Sequence, residues 1–513
     1  MTRFRLAAAA GSLVAALTAG MVAGLAPAAS AAPARPVPGA PGIGDPLFPG
    51  LGNGGYDVTH YSIGMTYHAG TKLVDAVTTI RARADQALTR FDLDFDGNTI
   101  ASVRFDGRPV TFSREGAELI ITPRKPIRQN QRFSVTVRYV ADPRGAHNCP
   151  TPPPLTGTAW FPSADGFVIA GQPNCSHTVF PSNDHPRDKA SYDFTLTAPS
   201  DLTAVANGAL VRKVPHGATT TWTYRENPPM ATELAQIAVG HYTVLTRPGP
   251  GGVLLRDVVP TAEAAVVGAK LRNEAEHLRF MTARVGPYPF GEYGVLAAPL
   301  VFGFALETQT LSLFPDFVFT GNAPEAGYAP VQVHELAHQW FGDDVSPEKW
   351  ADVWLNEGHA TWYEGTFADA KGFESFAARM RQAYALGDQW RHDFGPVASP
   401  PADNLFNNNV YDGGALVLFA LRERIGTAAF NRLERAWVTK YGGSTAGTPD
   451  FIALASKVSH RNLGPFLRDW LYGTKTPPMP GHPDWTVNPP GAAPAPTARK
   501  APTAAGLERL RKR

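Results

Sequence analysis

Apolar positions recur every second residue through the first half of the chain. In "RFSVTVRYV", Phe133, Val135, Val137 and Tyr139 alternate with polar neighbours. "SYDFTLTAP" does the same with Tyr192, Phe194 and Leu196. A period of two belongs to strands with one buried face. Asp96-Gly97 and Asp106-Gly107 are turn signals between such runs. The pattern predicts an antiparallel β domain over residues 56–245. The period then changes to that of a helix. "TAEAAVVGAKLRNEAEHLRFMTARVG" reads as one long amphipathic helix stopped by Gly286 and Pro287. Further helices are predicted around 326–342, 354–371, 373–386, 412–425 and 427–441, with strand-like pieces near 295–313. Residues 246–487 therefore form a second, mostly helical α+β domain.

The ends carry other patterns. Arg3 and Arg5 precede an apolar run from Leu6 to Ala26, and Ala29-Ser30-Ala31 follows. This fits a cleaved signal peptide over residues 1–31, with an N-terminal membrane anchor as the alternative. The expectation is a secreted, extracellular protein without stable membrane association. Residues 32–55 are rich in Pro and Gly and read as a linker. Residues 488–513 are Ala/Pro-rich, end in "LERLRKR", and read as a disordered tail. A length of 513 residues fits two or three domains. A formal net charge of +2 implies neither nucleic acid nor an anionic surface as partner. Cys149 and Cys175 are the only cysteines, and an oxidising compartment would join them. The rival arrangement, a second zinc held by these two with His147 and His177, has no recognised ligand spacing.

One stretch carries chemistry. "VHELAHQWFG" (Val333–Gly342) places His334 and His338 four residues apart, on one face of a helix. Glu335 is rotated about 100° from His334 and lies beside an ion bound there rather than on it. Two imidazoles and a neighbouring carboxylate are the parts of a hydrolytic zinc site. With 14 histidines, chance produces His-Glu-x-x-His in on the order of one such chain in a hundred. A buried histidine pair satisfied by backbone or water is the bland reading. Nineteen positions after His338 comes Glu357, in "WLNEGHATWYE". That gap allows a turn and a second helix that returns a carboxylate to the first. Two His and one Glu leave a fourth position for water, the pattern of a catalytic zinc. Glu364, seven residues on, lies on the same face as Glu357. It is either an acceptor for a ligating histidine N–H or a solvated helix carboxylate.

His-Glu-x-x-His, eighteen residues, and Glu within Asn-Glu-Gly resembles the signature of the gluzincin aminopeptidases, the family of aminopeptidase N and leukotriene hydrolase. The resemblance runs from about Gly44 to Trp485 and includes "GNGGYDVTHYSIGMTY", "FPSNDHPRDKASYDFTLTAP", "VANGAL" and "FLRDWLYGTKTPPMP". It implies an N-terminal antiparallel β-sandwich or saddle followed by a thermolysin-like, mostly helical zinc peptidase domain. It implies one zinc ion on His334, His338 and Glu357, Glu335 as general base and then acid, and Tyr411 as donor to the oxyanion. Glu307, in "FALETQT", matches the acid that anchors a substrate's free ammonium, and Gln172, in "GQPNC", matches a glutamine of the same site. Phe304, Leu306 and Thr308 depart from the Gly, Met and Asn of that strand, and Gly413 stands where a Lys usually follows the tyrosine. Phe304 is expected to narrow the first pocket. Many members carry a further all-helical domain, and this chain is expected to lack it. The implied function is a secreted zinc aminopeptidase acting on peptides with a free N-terminus. A thermolysin-like endopeptidase and a non-catalytic peptide-binding protein are the alternatives; nothing signals an epoxide hydrolase. Side-chain selectivity, natural substrate and oligomeric state are not legible.

Overall fold

The alternation seen in the sequence becomes a two-layered β half. In strand Arg132–Ala141, every second residue from Phe133 is buried. In this computed structural model, which describes residues 35–147, 149, 157–300 and 303–488, that strand belongs to a sheet of eight. Its spatial order is Ala209–His216, Thr219–Met230, Ala190–Pro199, Tyr56–His68, Leu73–Ala84, Arg132–Ala141, Thr99–Phe105 and Arg108–Pro109. Two four-stranded sheets pack against it. Phe91 of one meets Tyr56 and Phe133 of the large sheet, at 5.6 and 5.0 Å between ring centroids. Phe167 of the other meets Tyr67 at 5.7 Å.

The β half is mostly antiparallel, as expected, but a central pair of the large sheet departs from this. Ala190–Pro199 lies parallel to Tyr56–His68, with Tyr192 opposite Tyr61. The chain re-enters the sheet only after the excursion through residues 142–189. A connection that long can bring a strand back in its neighbour's direction. The linker expectation is corrected. Val37–Pro38 pairs with the strand Leu88–Asp94, and Asp45, Leu51 and Asn53 are buried. The residues read as a signal peptide, and the tail from residue 489, lie outside the described residues.

Among the described residues ten α-helices follow: α1 Ala264–Lys270, α2 Glu274–Val285, α3 Phe317–Thr320, α4 Glu325–His338, α5 Trp354–Ala370, α6 Phe376–Phe394, α7 Asn408–Ile425, α8 Thr427–Tyr441, α9 Thr448–Ser459 and α10 Gly464–Tyr472. The single long helix expected over 261–286 is broken between α1 and α2. Arg247 donates to the Leu271 carbonyl at 2.6 Å and pairs with Asp257 and Glu274. The Leu271 carbonyl thus accepts from Arg247 and, in a 3-10 turn, from the Glu274 N–H, in place of a continuous α-helical bond. Side-chain caps set two starts: Ser375 accepts from the Ala378 N–H of α6, and Asn407 from the Asn409 N–H of α7. Those caps place the helices away from the bounds that apolar period alone predicts.

A mixed five-stranded sheet lies between the β half and the helices. Its strands are Tyr242–Pro248, Leu254–Pro260, Val295–Ala298 and Ser312–Pro315, with Glu292–Tyr293 beside Leu254–Pro260. It is apolar on both faces. Leu255, Val259, Val295, Ala297 and Phe314 join the helical core. Val258, Leu296, Ala298 and Leu313 join the core of the β half. Sheets buried on both sides read as continuous apolar runs. The segment at the edge of this sheet bridges Leu306 to Leu313 and carries Glu307. Among the described residues no helix is long and apolar enough to cross a membrane.

Candidate active site

Helix α4 is buried from Tyr328 to His338. Its last turn presents His334 and His338 side by side, with ring centroids 4.9 Å apart. Helix α5 begins at Trp354, and its first turn brings Glu357 to the same point. Glu357 Oε2 lies 3.3 Å from His334 Nε2 and 3.4 Å from His338 Nε2. One ligand atom of each of the three lies within 4.8 Å of the others. The structure therefore brings together the three residues read as metal ligands.

The outer nitrogens fix which ring atom faces inward. His338 Nδ1 donates to the Phe341 carbonyl at 3.1 Å, and His334 Nδ1 to Glu364 Oε2 at 3.1 Å. Each Nε2 is left with its lone pair toward the shared point, the tautomer a metal needs. Glu364 is thus the acceptor, not a solvated carboxylate, and it is buried. Arg379 of α6 donates to its other oxygen at 3.0 Å and to Asp412 of α7 at 2.7 Å. Sequence reading missed Arg379 and Asp412, since nothing in local spacing links three helices.

Electrostatics agree with a cation site. Burial works against ionisation of Glu357, and positive charge at His338 and His334, on protonated rings or on an ion between them, is what holds its carboxyl down to about 2. Burial pushes the Glu335 carboxyl up to about 8, opposed by His334 and His338. A divalent ion beside Glu335 would favour its ionised form. Glu335 Oε1 is buried and has no hydrogen-bond partner among the described residues. Donor set, tautomers and this orphan oxygen together fit a tetrahedral zinc with one open position.

Glu307 and Glu335 each place an oxygen within 4.8 Å of a His338 nitrogen. The Gln172 amide donates to Glu307 Oε1 at 2.7 Å, so both residues read as an ammonium site meet there. Tyr411 of α7 is buried and stacks on the His334 ring at 5.9 Å and 23°. Gly413 has a local reason. A Cβ there would sit 2.3 Å from Asn409 Oδ1, whose amide donates to the Gly395 carbonyl. Phe304 is buried edge-on against Phe161, 5.9 Å away, in the core of the β half. Cys149 and Cys175 form a disulfide, while His177 Nδ1 binds Asp184 at 2.7 Å.

Comparison with known proteins follows this geometry. The peptidase M1 N-terminal domain matches residues 58–234, and the peptidase family M1 domain matches residues 270–470. Aminopeptidase M1 of Arabidopsis thaliana is 28% identical over 318 residues, 59% of this chain and 36% of that protein. Aminopeptidase N of Streptomyces lividans is 28% identical over 316 residues, 57% of this chain and 36% of that protein. The match thus spans about a third of the length of each of these two relatives. An M1 zinc metallopeptidase from Deinococcus radiodurans is similar at TM-score 0.76 and 29% identity, over 86% of this chain and 99% of that one. A variant of it has been seen with a Tyr-Ser-Ala substrate. With a β-rich N-terminal domain, a helical peptidase domain and the His334/His338/Glu357 constellation, this chain belongs to peptidase family M1, the gluzincin aminopeptidase N family.

Proposed function

We propose that the protein is a secreted zinc aminopeptidase that removes N-terminal residues from peptides. The carrying observation is that His338 is shared. It belongs to the ligand set with His334 and Glu357, and it also lies against Glu307 and Glu335. An ammonium held at Glu307 therefore sits within one residue's reach of the ion, and only the first peptide bond can meet it. His334, His338 and Glu357 would hold one zinc, whose bound presence supplies Lewis acidity and lowers the pKa of water. Glu335 Oε1 accepts the proton of the attacking water and returns it to the leaving nitrogen. The Tyr411 hydroxyl donates to the developing oxyanion. Glu307 Oε1 is taken by Gln172, which leaves Oε2 for the substrate ammonium. A variant of the Deinococcus neighbour binds a Tyr-Ser-Ala substrate, a peptide as this reading requires. Export rests on the pattern of residues 1–31 and on the Cys149–Cys175 disulfide, which persists in oxidising compartments.

The test is a panel of aminoacyl amides beside their N-acetylated forms. Cleavage of the free-amine series alone, lost with chelator and restored by zinc, is expected. Glu335→Gln is expected to lower kcat on the order of 10²–10⁴-fold while zinc content stays unchanged. Equal cleavage of the acetylated series would favour the endopeptidase reading and remove Glu307 from its role.

A further inference from the structure

Gln339 follows His338 directly and has no exposed surface. Its amide joins two parts of the site that come from different elements. Nε2 donates to the Glu307 carbonyl at 3.0 Å and to Asp343 Oδ2 at 2.7 Å. Oε1 accepts from the Thr310 N–H at 2.9 Å and faces the Tyr288 hydroxyl at 3.0 Å. The orientation of the amide is decided by these partners. A carbonyl oxygen can only accept and a backbone N–H can only donate, so a flipped amide would oppose both.

The segment that Gln339 grips is strained. Thr310 adopts φ 65°, a left-handed conformation that β-branched residues rarely take. Such a residue persists where its surroundings over-determine it. Here the Gly208 N–H donates to Thr310 Oγ1 at 2.9 Å, Thr310 Oγ1 reaches Glu226 at 3.3 Å, and Gln339 receives the Thr310 N–H. Gln339 thus holds the segment at both Glu307 and Thr310 and ties it to the end of α4.

We propose that Gln339 is a positioning residue that sets the distance between the metal helix and the ammonium anchor, and so the enzyme's selectivity for a free N-terminus. This rests on the aminopeptidase reading above. Gln339 touches neither substrate nor reacting atoms; it acts through the backbone of Glu307. Without it, Glu307 keeps Gln172 and the neighbouring Leu306–Leu313 bridge but loses its tie to the end of α4.

The experiment compares the unsubstituted enzyme, Gln339→Met, Gln339→Glu, Glu307→Gln and the Glu307→Gln/Gln339→Met double variant. Zinc content and thermal midpoint are recorded, with KM and kcat for an aminoacyl amide and its N-acetyl form. Gln339→Met is expected to keep one zinc and to raise KM for the free amine about tenfold or more. Its preference over the acetylated substrate should fall by a similar factor, with a smaller change in kcat. Gln339→Glu keeps both acceptor contacts and loses the donors to Glu307 and Asp343, so it is expected to lose at least as much preference. In the Glu307→Gln background, Gln339→Met is expected to reduce the preference no further. Unchanged preference in a zinc-loaded Gln339→Met enzyme, or equal losses on both substrates, would overturn the proposal alone. Equal cleavage of both substrates by the unsubstituted enzyme would overturn the aminopeptidase reading and this proposal with it.

Discussion

His334 faces a carboxylate at each end of its ring, and the outer one, which accepts from Nδ1, is itself clamped. Burial opposes the charge on Glu364, yet Arg379 and His334 hold its carboxyl down to about 2. Glu364→Ala removes the acceptor that fixes the ring, and zinc affinity in a chelator competition is expected to fall about 10–100-fold. Glu364→Gln keeps an accepting oxygen and is expected to lose less. His277 on α2 shows the opposite case, a histidine governed by burial, with Glu276 and Lys371 acting on it in opposite directions. Its ring lies edge-on to Phe367 at 5.1 Å, and its Nε2 has no hydrogen-bond partner among the described residues. Burial pulls its pKa from 6.5 down to about 4. The unfolded chain takes up this proton below pH 6.5, whereas the folded chain takes it up only near pH 4. The neutral ring's contribution is therefore full above pH 6.5 and declines as pH falls through that window. Between pH 7 and 5 the loss is about 2 kcal/mol at 1.36 kcal/mol per unit. His277→Leu is expected to flatten that part of a denaturant-stability profile. The ligand spacing was legible because a helix repeats every 3.6 residues. Arg379, Asp412 and Gln339 were not, because their partners are chosen by packing between elements.

Helices α5 and α7 approach through glycine. A Cβ on Gly358 would lie 2.9 Å from the Gly414 carbonyl carbon, and one on Gly414 would lie 2.9 Å from Gly358 Cα. Both contacts are with backbone, so no side chain can yield. The crossing sits one residue from Glu357 and three from Tyr411, and it sets the separation of these two side chains. Gly414→Ala is expected to destabilise by about 1–3 kcal/mol through overpacking. Activity is expected to fall further than stability accounts for, because the α7 shift moves Tyr411. Zinc content measured beside kcat separates the two effects, since the proposed ligands His334, His338 and Glu357 lie on α4 and α5. The sequence predicted α5 and α7 as elements, but helix period says nothing of where two helices touch. The same limit explains the break between α1 and α2. Apolar period runs through residues 261–286, and the helix is interrupted at the 3-10 turn Leu271–Asn273, where Arg247 meets the Leu271 carbonyl.

At the scale of the whole molecule, one sheet buries a different core on each face, so the β half and the helical half share their interior. The two period regimes of the sequence showed both halves, but not that the five-stranded sheet serves both. The Pro/Gly-rich stretch was read as a linker because composition reports local backbone preference and not side-chain partners. Asp45 supplies those partners. Its Oδ1 accepts from the Leu47 and Phe48 N–H groups, and its Oδ2 accepts from the Trp350 N–H at 2.7 Å and faces His185 Nε2 at 3.0 Å. Phe48 packs edge-on against Trp350 at 6.2 Å. His185 belongs to the β half and Trp350 to the turn before α5, so one carboxylate ties the strap to both. Burial opposes its charge, but the bonds from His185, Trp350 and Leu47 keep its carboxyl below the usual range. Asp45→Ala leaves buried donors without an acceptor, a local loss of about 2 kcal/mol. At tenfold for each 1.4 kcal/mol, the strap then opens about 30 times more often. Proteolysis within residues 36–55 is expected to accelerate by that factor where cleavage is slower than reclosing. Asp45→Asn retains one acceptor and is expected to fall between. Cleavage unchanged in Asp45→Ala would mean that the pairing of Val37–Pro38 with Leu88–Arg90 holds the segment without the carboxylate.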